Sequence, residues 1–334
     1  MKFKATLSLF ASGDVVQRNP TLWEKVKKAF GGDPNLDTDR VKTRLQAADL
    51  VMGCKRALER LGVDNAVALV VDGQALFEDK KGEAHDAGDL FLAFFENENV
   101  FGKEFNDLRL VVEHREAGLH HIIELVGSGE HDRSHATVLV HVGGRVTDLE
   151  PRAGEDADAF RRRVEPLLAT PALAETSRLQ FETFAARVHE ALGAALSGVR
   201  IVASDARSLV ERPGKPTRRQ GRGATPPAGP HDPRYDPHER WAPSPMGDIA
   251  TMLFWSSMMS WAWHPTYVVV DSGGRELGST DELASAGGDG ALDAEGDDTG
   301  AGDDDGGDLG DDGGDLGDDG GDLGDDGGDF DIDW

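Results

Sequence analysis

LRLVVEHREAGLHHIIELVG, residues 108–127, decides the fold class. Aliphatic and β-branched residues alternate with charged ones on both sides of Ala117-Gly118, as expected for two half-buried strands joined by a tight turn. A reversal at Ala117-Gly118 sets Arg115 opposite His120 and His114 opposite His121. His114 and His121 then share one side of the pair with Leu110, Val112, Ile123 and Leu125. A polar loop leads to ATVLVHVGGRVTDL, residues 136–149, in which Gly143-Gly144 reads as a turn between VLVHV and RVTDL. The three runs form an antiparallel meander.

Working outward, MKFKATLSLF reads as an opening strand, TLWEKVKKAF as a short helix capped by Thr21, and Thr38 to Leu61 as a long amphipathic helix closed by Gly62. Its apolar stripe includes Val41, Leu45, Ala48, Met52 and Leu58, with Cys54 as a buried thiol. NAVALVVDGQALFEDKKG gives two strands around Asp72-Gly73, and Phe91, Leu92, Phe94, Phe95 and Phe101 form an apolar cluster read as a helix. After Asp156 the period returns to helical, with Pro171 separating two helices, and SGVRIVASDARSLVE offers a last strand. Strands and helices in separate runs predict an α+β domain over residues 1–211, with an antiparallel β-meander packed by amphipathic helices.

Residues 212–245 are rich in Pro, Gly and Arg and read as an extended linker, because they hold too little apolar surface to offset the entropy of ordering. Residues 246–280 form an apolar helix plus β-hairpin element. It contains Ile249 to Trp263, a stretch without a formal charge that holds three of the six Trp. Such an element is too small for its own core and must pack on the domain or on a second copy, so 249–263 is also the candidate homo-oligomer contact. Fifteen residues fall short of the ~20 that span a bilayer. The start is too short for a secretory segment, which favours a cytoplasmic protein.

From residue 281 the composition becomes Gly/Asp repeat, and from Gly287 onward there are twenty acidic residues and no Lys or Arg. The repeat DDGGDLG has period seven and no Glu, so it fits neither an EF-hand loop nor a nine-residue calcium repeat. It reads as a disordered acidic spacer, and its polyanionic character argues against direct nucleic-acid binding. A basic strip with Arg218, Arg219 and Arg222 is its natural counter-charge. The tip DFDIDW alternates acid with Phe330, Ile332 and Trp334, which suits strand addition or pocket insertion in a protein partner. This tip is similar to the acidic, aromatic-containing C-terminal tip of bacterial single-stranded DNA-binding proteins, a resemblance that implies partner recruitment by the last few residues alone.

Six of the eleven histidines lie between His114 and His141. Two imidazoles opposed on a strand pair invite zinc or copper once a third ligand arrives, and His141 on the next strand is the candidate third. Glu113 and Glu124, expected on a solvent-side face with Arg109 and Arg115, are explained by cross-strand charge pairing. No nucleotide, hydrolase or dinucleotide motif occurs, and no cofactor is implied. The sequence favours a binding or scaffold protein that uses its acidic tail for docking or autoregulation. A metal-dependent enzyme on the His-rich meander and a peripheral membrane protein using the Trp/Met segment are the alternatives.

Overall fold

Ala117 and Gly118 both take positive φ, 51° and 77°, and so do Asp72 and Gly73, at 47° and 79°. Two successive positive φ values make the tight hairpin turns whose twist matches that of the flanking strands. The computed structural model describes residues 1–11, 38–79, 105–128, 137–213, 229–261, 267–271 and 274–285. The helix expected at 21–30, the Phe91–Phe101 cluster, the Arg218–Arg222 strip and the acidic repeat with its tip lie outside the described residues, whereas residues 281–285, assigned to the disordered tail, are helical.

The strands are β1 (Lys2–Ala11), β2 (Asn65–Val71), β3 (Gln74–Glu78), β4 (Asp107–Glu116), β5 (Leu119–Ser128), β6 (Val138–Val146), β7 (Val199–Ala203), β8 (Arg207–Glu211), β9 (Val268–Val270) and β10 (Glu276–Ser279). They form one sheet in the order β10-β9-β8-β1-β6-β5-β4-β2-β3, with β7 pairing to β1 beside β8. Every pairing is antiparallel except β8 with β9. The fold is therefore α+β with the meander β4-β5-β6 at its centre. The single strand expected over 197–211 is two, because one extra residue between Ala203 and Arg207 shifts the register along β1. The Ser204 side chain accepts from the Thr6 amide at 2.9 Å and so keeps the break satisfied.

One face of the sheet is apolar. Phe3, Ala5, Leu7 and Leu9 alternate inward along β1 and meet Val142 and Val140 of β6 and Ile123 and Leu125 of β5. The helices α1 (Thr38–Arg60) and α3 (Ala172–Ala195) cover this face, with α2 (Ala157–Val164) at one end. In α1 the buried residues include Ala47, Ala48, Leu50, Val51, Cys54, Ala57 and Leu58, while Met52 lies on the flank. Burial pushes the Cys54 thiol up to about 12, which leaves it inert at neutral pH.

Gly143 and Gly144 are not a turn. They sit inside β6, paired with β1 and β5, and each lets something approach the sheet that a side chain would exclude. A Cβ on Gly144 would lie 2.6 Å from the Phe181 ring of α3, and one on Gly143 would lie 2.7 Å from His238 Nδ1 on the opposite face. Gly144→Ala is expected to destabilise the chain by about 1–3 kcal/mol through overpacking, measured as a lowered urea midpoint. Gly143→Ala should instead shift Trp241 fluorescence, because it lifts only the segment on that second face.

That segment corrects the linker assignment at its C-terminal end. Residues 229–245 fold back across the second face as a strap holding the single-turn helix α4 (Pro237–Trp241), and Tyr235 is 3% exposed. The cause is a set of polar contacts joined by Trp241 and Ala242 packing on Ala68, Val70, Val111 and Ile122, which composition alone does not reveal. Beyond the strap, α5 (Gly247–Ser260) buries Phe254 and Met258, and Trp261 follows, all in the main core. β9 then pairs with β8, so the apolar element is part of the folded body. The helix α6 (Thr280–Ser285) ends the described chain.

Candidate functional site

Strand alternation divides the polar residues of the meander between the two faces. His114 lies opposite His121, as the turn position requires, but His141 lies opposite Glu124 on the other face of the sheet. The third ligand imagined for a metal is thus separated from the first two by the sheet itself. A shift of one residue along a strand exchanges faces, and His141 stands three residues, an odd step, from Gly144, the partner of His121. Among the described residues, no group of three or more His, Cys, Asp or Glu side chains is arranged to hold a metal ion.

His121 is instead a core residue. It is fully buried, its ring stacks on Phe184 at 3.8 Å between centroids, and neither ring nitrogen has a hydrogen-bond partner. Burial, reinforced by nearby His114, pushes its pKa down to about 3. The ring is neutral and packs as a flat aromatic spacer.

The second face is where the chemistry collects. Glu124 and His141 of the sheet are buried under the strap, so the expected solvent-side position of Glu124 is wrong. Tyr235 donates its hydroxyl hydrogen to Glu124 Oε2, and Arg109 approaches the other carboxylate oxygen at 3.7 Å. Burial raises the Glu124 pKa, opposed by the Tyr235 hydroxyl and Arg109, while burial beside Glu124 raises that of Tyr235. His141 lies under the Tyr235 ring at 5.3 Å between centroids, and burial and then Lys4 push its pKa down to about 4.

The strap is gripped largely through its backbone. Lys4 Nζ donates to the carbonyls of Pro233 and Tyr235, each at 2.6 Å, and Arg145 donates to that of Ala242 at 3.2 Å. Asp236 caps α4, accepting from the His238 amide at 2.9 Å, with Pro237 at the first helical position. Its carboxylate also lies 3.6 Å from Lys2 Nζ and 3.5 Å from Arg145. Burial opposes that charge, but His238, Lys2 and Arg145 outweigh it and hold Asp236 well below the usual carboxylate range.

Beside the strap, His120 places Nδ1 2.8 Å from Glu150 Oε1 and Nε2 3.0 Å from Glu113 Oε2. Ionised carboxylates only accept, so the ring donates from both nitrogens and is charged. Burial works against the imidazolium, yet the two carboxylates raise its pKa above the ordinary value. His238 packs edge-on against this ring and donates Nε2–H to the His120 carbonyl at 3.2 Å.

Between the strap and the outer strands lies a cleft of about 630 Å³. Its floor includes Leu209 and Val270, and its rim carries both signs of charge, with Lys2, Lys4, Arg207, Arg234 and Arg275 against Glu211, Asp232, Asp236, Glu239, Asp271 and Glu276. Arg207 pairs with Glu276 at 3.0 Å and Arg234 with Asp232 at 2.6 Å. The sequence did not single out Tyr235, Asp236, His238 or Lys4. The available signal was Tyr235-Asp236-Pro237, an N-cap followed by Pro at the first helical position, set inside a stretch read as linker.

Among the described residues no helix is long and apolar enough to cross a membrane. No known protein family, curated protein or solved structure matches the chain.

Proposed function

We propose that this chain is a binding protein for a protein partner, with the strap-side cleft as one docking element and the acidic segment ending in Phe330, Ile332 and Trp334 as the other. The cleft carries the proposal: an apolar floor beneath a rim of nearly balanced charge suits an extended peptide segment better than a polyanionic metabolite, which would need a net positive rim. The buried Tyr235 and His120 support binding over turnover, since each spends its hydrogen bonds on neighbouring carboxylates of the same fold. The acidic tip adds a second point of contact, whose avidity multiplies with that of the cleft if both engage one partner.

Affinity capture with full-length bait tests this. Arg207→Ala with Arg275→Ala alters the rim at exposed ion pairs that contribute little to stability, and Phe330→Ala with Trp334→Ala removes the aromatic anchors. Each pair of substitutions should weaken capture by roughly tenfold or more while the melting temperature stays unchanged. If capture survives both and disappears only as salt rises to physiological strength, where the Debye length is ~8 Å, the contact is diffuse charge and the proposal fails.

A further inference from the structure

The geometry points to a tyrosine-reading peptide groove on the second face of the sheet, in which residues 232–241 lie as an intramolecular ligand that a partner segment of the same chemistry can replace. This deepens the proposed binding function, on which it rests, by naming the class of ligand and its control.

The contacts have the form of peptide recognition. Two cations on neighbouring strands, Lys4 of β1 and Arg145 of β6, take main-chain carbonyls of the strap, which any extended peptide would offer. One side chain enters a formed seat: Tyr235 lies over His141, and its hydroxyl reaches Glu124, a wholly buried carboxylate from β5. Gly143 leaves the floor open where Pro237 and His238 cross, at 3.0 and 2.7 Å from where a Cβ would stand. Asp236 then reads Lys2 and Arg145. The ligand class is therefore a segment with a tyrosine followed by an Asp-Pro that opens a helical turn.

The strap is held by hydrogen bonds from Lys4 and Arg145 and to Glu124, together with Trp241 and Ala242 packed on the small apolar cluster of Ala68, Val70, Val111 and Ile122, whereas the helices on the first face rest on the large apolar core. The groove also runs into the open cleft, because Asp232, Tyr235 and Pro237 line both. A partner segment seated in the cleft meets the strap end-on and can displace it stepwise. Residues 212–228 lie in sequence between β8 and the strap. A tethered copy at an effective concentration on the order of mM keeps free peptide out until the strap is weakened.

The test uses the full chain and a dye-labelled synthetic peptide of residues 229–243, followed by fluorescence anisotropy. The peptide should bind chains carrying Asp236→Asn or Tyr235→Ala at least about tenfold more tightly than the unsubstituted chain, because the tethered competitor is weakened. A peptide carrying Tyr235→Phe, which lacks the hydroxyl that reaches Glu124, should bind those same chains about tenfold more weakly. Failure of the peptide to bind either substituted chain, with cooperative thermal unfolding retained, overturns the inference. Loss of cooperative unfolding in both substituted chains overturns it as well, since the strap is then a structural element. Neither result touches the Arg207 and Arg275 capture assay, which reports on the cleft separately.

Discussion

Lowering the pH from about 7 to about 4 is expected to remove several kcal/mol of folding stability, the largest single effect of solution conditions on this chain. His121 and His141 have folded pKa values of about 3 and about 4, both below the ordinary 6.5. Between 6.5 and those values the unfolded chain binds more protons than the folded one, so stability falls as pH falls. Each histidine contributes about 3 kcal/mol over that interval. His238, also depressed by burial, acts in the same direction, whereas His120 and Glu124, whose folded pKa values are raised, each offset part of the loss as pH falls. Against a total of roughly 5–15 kcal/mol for a typical domain, the fold should be marginal near pH 4. Urea midpoints measured across this range check the expectation, and a flat profile would refute it. His121→Leu removes one of the two titrations and two unpartnered ring nitrogens, so it should flatten the profile by about half and leave neutral-pH stability equal or higher.

Asp236→Asn is expected to cost about 2–3 kcal/mol, less than the full penalty for breaking a buried ion pair. The discount is structural: Lys2 keeps Glu211 at 3.3 Å and its bond to Glu239, so the substitution leaves that ammonium partly paired. Arg145 keeps the Ala242 carbonyl. What is lost is the one group that ties β1, β6 and α4 together. The denaturant midpoint should fall, and amide exchange should accelerate first in residues 235–241. Uniform acceleration across the sheet would mean that Asp236 supports the whole fold rather than the strap. Because the folded Asp236 pKa is depressed, its contribution is present above the unfolded value near 3.8 and is lost below it, so the substitution should matter progressively less in strong acid.

The central hairpin was legible in the residues. Ala117-Gly118 set the turn, and a two-residue turn leaves one register, so His114 met His121 and Arg115 met His120 as expected. The long helix at Thr38–Arg60 and the helix break at Pro171 were equally legible, because 3.6-residue periodicity and the missing N–H of proline are local properties. The apolar element around 249–263 had to pack on something, and composition alone required it.

Three features were decided only by tertiary structure. His141 has no local marker of its face, since its phase depends on where β6 pairs with β5 and β1, and a single step along the strand reverses it. Gly143-Gly144 looks like a turn in sequence because glycine is equally at home in a turn and in a strand crossed closely on both faces; only Phe181 and His238 tell the two apart. Residues 229–245 look like linker because their apolar content is low, and the criterion that exposes them assumes that ordering requires apolar burial. Here Lys4, Arg145 and Glu124 supply charge-assisted hydrogen bonds from strands distant in sequence, beside the packing of Trp241 and Ala242 on the sheet. Local pattern fixed the elements and the faces they can bury; which polar groups meet across the sheet depends on contacts between residues far apart in sequence, 97 apart for the Arg145 bond to Ala242 and 231 for the Lys4 bond to Tyr235, and no local pattern encodes those.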